Sequence, residues 1–263
     1  MKKFVIKNYE LKSDKLREKD RACFAVLADL HGFRYGKENR ELIQAIKSRE
    51  PDAVLVVGDM LVRSEPQSLD IAAKLLQSLS ARYSVYYALG NHESQMLLGE
   101  NRAFYQEYET ALKTAGVRFL HNEKAYLEVG QTLFCIHGLE LPLVYYHKPR
   151  SPRLKVQVLN ELLGTPGEEA YHILLAHNPK YGNAYFSWGA DLTLSGHYHG
   201  GVVRFSKHRG LTSPQYLFLP PFCCGDFHKD GRHMLVSAGL GEHTIPVRIH
   251  NPRELIFAEI RNA

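Results

Sequence analysis

The stretch Ala53-Val54-Leu55-Val56-Val57-Gly58-Asp59-Met60 sets the strongest limit on what this chain can fold into. Its first five residues are apolar and mostly β-branched, the pattern of a strand buried on both faces, and the run is too short for a helix. Gly58 breaks the strand, and Asp59 stands at its carboxyl end. In open α/β sheets that end is where loops converge on a ligand crevice. A carboxylate there is expensive to desolvate unless it is paired, and metal ions are the strongest partners available. Taken alone, the same residues also fit a turn aspartate capping the next helix.

The surrounding chain repeats the arrangement. Residues 22–28 read as a second buried strand, ending in Asp29-Leu30-His31, and residues 84–89 as a third that runs into Gly90-Asn91-His92-Glu93. Helical spacing over 39–49 and 68–80 separates the three, which makes a βαβαβ wind. Residues 4–11 alternate apolar and polar as an edge strand does, 101–115 read as a helix and 117–120 as a short strand. The runs 125–129 and 132–136 predict a hairpin turning at Gly130-Gln131, the start of a second sheet packed on the first. A helix over 153–163 follows, then strands over 172–176 and 190–194, which lead into His177-Asn178-Pro179 and Gly196-His197-Tyr198-His199-Gly200-Gly201. Residues 204–231 are rich in proline and aromatics and are expected to be an insertion-like loop, long enough to suggest a function. Strands over 233–238 and 254–260 complete the pattern. No repeat, low-complexity tract or linker divides the chain, so residues 1–263 are expected to form one α/β domain.

Composition narrows the partners. A net charge of +5 is mild and suits an anionic substrate better than nucleic acid, which calls for a concentrated basic stripe. Fourteen histidines are many for 263 residues, and histidine is both the commonest metal ligand and the general acid of neutral pH. Cys23 and Cys135 lie in apolar runs and read as small core residues. Cys223 and Cys224 are adjacent, poor geometry for a disulfide and not the spacing of a zinc site, so a reducing compartment is expected. The amino terminus shows no signal peptide and no run reaches the ~18 to 20 apolar residues of a membrane span, which predicts a cytoplasmic protein, or a membrane-associated one if an anchor precedes the chain.

Collected in order, the strand-end residues are Asp29-x-His31, Gly58-Asp59, Gly90-Asn91-His92-Glu93, His177 and Gly196-His197-x-His199. This set resembles the calcineurin-like metallophosphoesterase superfamily. Within it, Ser195 to Gly201, Ser237-Ala238-Gly239-Leu240-Gly241, and Ile245-Pro246-Val247-Arg248 followed by Pro252-Arg253-Glu254 look like the YkuE/YaeI-type bacterial phosphodiesterases. The resemblance implies a four-layer α/β/β/α sandwich of two packed mixed sheets. It also implies hydrolysis of phosphomono- or phosphodiesters by a metal-bridging hydroxide at a dinuclear centre. By the same resemblance Asp29, His31, Asp59 and His199 hold one ion, while Asp59, Asn91, His177 and His197 hold the other. Two close ions need a bridging carboxylate, for which Asp59 is the choice, and oxygen and nitrogen donors without thiolate suit Mn, Fe or Zn, divalent or trivalent.

By the same resemblance, His92 is expected to be a general acid facing the leaving-group oxygen rather than a ligand. The family most often has Asp after this histidine; here Glu93 would have to orient the imidazole with its longer arm folded back. The remaining histidines, His121, His147, His172, His208, His228, His233, His243 and His250, read as surface or loop residues, and His137 is left outside the site. Tyr145-Tyr146 with the basic run His147 to Arg153 fits either a phosphate-bearing substrate, a membrane surface or a merely solvated face. Leu217 to Phe222 is expected to form an apolar wall near His199, suited to a lipid-linked phosphoester and to peripheral membrane association. The alternative function is a non-catalytic calcineurin-like scaffold for protein interaction, whose members lack His92 or several ligands; a nuclease is disfavoured because no aromatic and basic groove is visible.

Overall fold

A computed structural model describes residues 3–242 and 247–263, so Ile245-Pro246 of the branch motif and His243 lie outside the described residues. Strands are β1 (Phe4–Lys12), β2 (Arg21–Leu27), β3 (Ala53–Val57), β4 (Ser84–Ala88), β5 (Val117–Phe119), β6 (Lys124–Val129), β7 (Thr132–Leu139), β8 (Tyr171–Ala176), β9 (Leu192–Ser195), β10 (Gly225–Lys229), β11 (Arg232–Val236) and β12 (Arg253–Arg261). Helices are α1 (Arg40–Lys47), α2 (Gln67–Ser80), α3 (Asn91–Leu98), α4 (Arg102–Thr114), α5 (Val156–Leu163) and α6 (Gly182–Trp188). One sheet has the order β1-β12-β2-β3-β4-β5 and the other β10-β11-β9-β8-β7-β6. Each is mixed: β2 to β5 run parallel while β12 opposes β2, and β7, β8, β9 and β11 run parallel with antiparallel β6 and β10 at the edges.

The β3 sequence shows why the layers stack. All five side chains are buried, and alternation sends them to opposite faces. Val54 and Val56 enter a core with Leu42, Ile46, Leu75, Leu79 and Tyr105 of the helices α1, α2 and α4. Ala53, Leu55 and Val57 enter a second core between the sheets, with Phe24, Phe134, Ile173 and Leu194. A third core packs Trp188 and Leu159 of α6 and α5 on the far face of the second sheet. The result is the four-layer α/β/β/α sandwich of two mixed sheets.

Several boundaries differ from expectation. Residues 225–229 are a strand, the far end of the supposed loop; its sequence GDFHK lacks apolar alternation because it is an edge strand paired only with β11. Helix α3 carries no clear apolar stripe in the sequence, α6 is only seven residues long, and α5 starts at Val156 because Lys155 is extended. Cys23 is half-buried rather than core, whereas Cys135, Cys223 and Cys224 are buried thiols. Among the described residues no helix is long and apolar enough to cross a membrane.

Candidate metal centre

The loops after β2, β3, β4, β8 and β9 meet at one end of the paired sheets. The backbone there is held in unfavourable conformations. Asp29, His31, Asp59, His197 and His199 have φ of 52°, 47°, 54°, 66° and 48°. Five of the seven expected ligands thus adopt the left-handed region, at about 1–3 kcal/mol each for residues with a Cβ. Alternation along a strand therefore does not explain how Asp29 and His31 share a face: both lie beyond β2, in a turn. Cross-loop hydrogen bonds over-determine that turn, from Asp29 N to Gly58 O at 3.0 Å, His31 N to Asp59 O at 3.1 Å and Gly32 N to Met60 O at 3.0 Å. Glycines allow the approach, since a Cβ on Gly90 would overlap the Asp59 carboxylate and one on Gly196 the Asp29 carboxylate.

The donor atoms gather in adjoining groups. Asp29, His31 and His199 form one, and Asp59, His177 and His197 another, each with its ligand atoms within 4.8 Å of one another. His177 Nε2 lies 3.1 Å from Asp59 Oδ2 and 3.9 Å from Asp29 Oδ1. His31 Nε2 is 3.8 Å from Asp59 Oδ2, and His199 Nε2 is 3.5 Å from Asp29 Oδ1. Asp59 therefore stands between the groups. Asn91, the first residue of α3, has a buried Oδ1 with no hydrogen-bond partner, a costly state that a cation would relieve.

Backbone carbonyls set the imidazole tautomers. His177 Nδ1–H donates to Val57 O at 2.7 Å and His31 Nδ1–H to Leu61 O at 3.2 Å. That leaves each Nε2 facing the acidic groups, the nitrogen through which histidine binds metal once its proton is displaced. Both carboxylates are nearly fully buried. Burial would raise the Asp59 carboxyl, but His177, His92 and His31 outweigh it and hold it well below the usual range. Burial also lowers His177, yet the Asp59 and Asp29 carboxylates reverse this and raise it to about 10. For Asp29 burial wins and the carboxyl is raised. These oxygens and nitrogens, dry and close together, form a donor set in which a cation can take the place of the proton that His177 otherwise holds.

His92 borders the same cluster and is only partly buried. Its ring lies 4.7 Å from that of His31, edge to face, and it forms a third donor group with His31 and Asp59. Its Nδ1 accepts the Arg63 backbone amide at 3.2 Å, so in the neutral ring Nε2 carries the proton. Burial lowers its pKa.

Glu93 does not serve His92, and this corrects the orienting role expected of it. Glu93 is fully buried, and its carboxylate accepts Asp59 N and Met60 N at 2.8 Å each, Gly90 N at 3.0 Å and the Tyr87 hydroxyl at 2.7 Å. Its longer arm reaches under the β3 loop instead of back to the imidazole. Tyr87 and the rings of Tyr146, 5.3 Å from His197 and 6.3 Å from His177, complete the surroundings. Nothing in sequence spacing marks Tyr87, whereas Tyr146 stands in the aromatic and basic run singled out above. His172 is also corrected: it is buried, beside Cys135 and His137.

The segment expected to form an apolar wall near His199 is divided in its burial. Tyr216, Phe218 and Leu219 are exposed, while Phe222 turns inward against Phe186 and Phe227. Gln215 fastens this loop to the basic segment, donating to Tyr145 O at 3.1 Å and His147 O at 3.3 Å, and Lys148 Nζ lies 5.3 Å from the Tyr216 ring centre.

Residues 24–201 match the calcineurin-like phosphoesterase family, and the chain belongs to that family. The family and the donor groups together define a metal-dependent phosphoesterase. An uncharacterized metallophosphoesterase of Aquifex aeolicus is 27% identical over 97% of this chain and 91% of its own length. The uncharacterized metallophosphoesterases YkoQ and YkuE of Bacillus subtilis are 26% and 25% identical, over 89% and 83% of this chain and 82% and 71% of theirs, which supports the YkuE-type branch. A zebrafish transmembrane protein with a metallophosphoesterase domain is 29% identical over 90% of this chain, which spans only 53% of it. In fold the chain is similar to a sulfate thiohydrolase, SoxB, of Thermus thermophilus (TM-score 0.51, 14% identity, 86% of this chain and 53% of that one). It is likewise similar to a phosphopantetheinyl hydrolase, PptH, of Mycobacterium tuberculosis (TM-score 0.50, 14% identity, 82% and 89%).

Proposed function

We propose that the chain hydrolyses phosphomono- or phosphodiesters with two divalent or trivalent cations (Mn, Fe or Zn) held on either side of Asp59. Asp29, His31, Asp59 and His199 would hold one, and Asp59, Asn91, His177 and His197 the other. The observation that carries the reading is the position of Asp59 between the two donor groups, 3.1 Å from His177 and 3.8 Å from His31. When bound, such ions supply Lewis acidity toward phosphoryl oxygens and a water acidified toward neutral pH.

The protein's own part is positioning and proton transfer. His92, with Nδ1 held by the Arg63 amide, presents Nε2–H and protonates the departing oxygen, which matters most for poor leaving groups. The Val57 and Leu61 carbonyls keep His177 and His31 in the ligating tautomer. The presence of His92 and all seven donors favours an enzyme over the non-catalytic scaffold. The exposed Tyr216, beside Lys148, and the exposed Phe218 and Leu219 favour a lipid-linked or otherwise amphipathic phosphoester, met in the cytoplasm or at a membrane surface, and not nucleic acid. Turnover of aryl phosphomonoesters and diesters by chelated and Mn-reloaded protein tests the chemistry; hydrolysis should appear only on reloading, and metal-independent turnover would contradict it. Long-chain phosphoesters should turn over faster than short-chain ones, and equal rates would remove the amphipathic substrate class.

A further inference from the structure

A second group of ligating side chains lies on the other face of the second sheet, where it packs against α6. Cys135 and His137, two apart on β7, point to the same side. His172 stands opposite Cys135 in the parallel register of β8. All three are buried, at 1%, 2% and 5% exposure, and their donor atoms lie within 4.8 Å of one another. His137 Nε2 is at the centre, 3.2 Å from Cys135 Sγ and 2.9 Å from His172 Nδ1. The edge of Trp188 closes one side, its ring 5.1 Å from that of His137.

Hydrogen atoms alone satisfy this cluster poorly. His137 Nε2 carries either one proton or one lone pair, so at most one of its two close contacts is a straight hydrogen bond. His137 Nδ1 is buried with no partner. Placing two imidazoles and a thiol in an apolar layer without full pairing costs about 1–3 kcal/mol per unmet group. No carboxylate belongs to the group. A thiolate with two neutral imidazoles is instead a donor set for a borderline or soft cation, of which Zn²⁺ is the commonest. A tetrahedral zinc sets nitrogen and sulfur ligands about 3.3–3.6 Å apart, so the 2.9 and 3.2 Å contacts would open by a few tenths of an ångström, while Cys135 and His172, now within 4.8 Å, would settle at a similar spacing. Tyr126 stands opposite Cys135 and Lys124 opposite His137 on the edge strand β6, and Tyr126 is half-exposed.

We propose that Cys135, His137 and His172 form a separate Zn²⁺ site that ties the β6–β7 edge hairpin to β8. It takes up zinc with loss of the Cys135 thiol proton to solvent, which balances the step. The site has a signature that the Asp and His centre cannot give, because that centre has no thiolate. Chelated full-length protein titrated with Co²⁺ should show thiolate-to-cobalt charge transfer in the near ultraviolet. The band should persist in Asp59→Asn and vanish in Cys135→Ser, and His172→Gln should weaken cobalt affinity at least tenfold. Metal analysis after zinc loading should show one ion fewer in Cys135→Ser than in wild type, with Asp59→Asn retaining the cysteine-bound ion. Absence of the band in wild type, or equal zinc content in wild type and a folded Cys135→Ser, would overturn the site. These outcomes are independent of phosphoester turnover.

Discussion

The Glu93 carboxylate accepts the backbone amide of Asp59 at 2.8 Å, and through the same group it also holds Met60, Gly90 and Tyr87. One buried acid from α3 thus fixes the turns that present Asp59 and Asn91. Replacing it with glutamine sets an amide NH₂ against backbone donors and leaves at least one unpaired, at about 1–3 kcal/mol. Glu93→Gln is expected to lower the unfolding free energy by that amount and also to weaken metal binding. Calorimetry beside a metal titration checks both, and unchanged metal affinity would show that Glu93 supports only the fold.

His92 differs from His31 and His177, whose Nδ1 atoms face backbone carbonyls, in meeting a backbone donor at Nδ1. His92→Ala should therefore spare metal content and slow hydrolysis by about 10²–10⁴-fold for poor leaving groups, with a smaller loss for nitrophenyl esters. A uniform loss across leaving groups, or loss of metal, would instead place His92 among the ligands.

His121 lies away from this chemistry, between Glu109 at 2.8 Å and Glu140 at 3.0 Å, with Lys113 also on Glu109 and the Phe119 ring stacked beside it. Hydrogen bonds to Glu109 and then Glu140 raise its pKa from 6.5 to about 9, more than burial lowers it. A histidine whose folded pKa is raised stabilises fully below its unfolded value, so this contribution, about 1 kcal/mol at a partly exposed site, is present below pH 6.5 and fades as pH rises through 9. NMR titration should find the His121 imidazole changing well above pH 7, and His121→Gln should flatten the fall in stability between pH 6.5 and 9. A midpoint near 6.5 would contradict the pairing.

Much of the fold was legible because its strands are short apolar runs ended by glycine or polar residues, as in residues 53–59, and its main helices carry clear stripes. What escaped has physical causes. The GDFHK edge strand is defined by its partner and not by its own pattern. The left-handed turns at Asp29, His31 and Asp59 are imposed by hydrogen bonds between loops far apart in the chain, which no local propensity encodes. Glu93 misled because adjacency to His92 suggested contact, whereas consecutive helical residues face different ways. His172 looked like a surface residue at the start of a strand, and only pairing with β7 buries it.

The most direct measurement compares metal content and aryl phosphoester hydrolysis in wild type and Asp59→Asn. The shared position of Asp59 predicts that the variant stays folded, loses metal from the Asp and His centre and loses hydrolysis by at least about 10³-fold, a cost of some 4 kcal/mol in transition-state stabilisation. Full metal occupancy with undiminished turnover in Asp59→Asn would contradict the account.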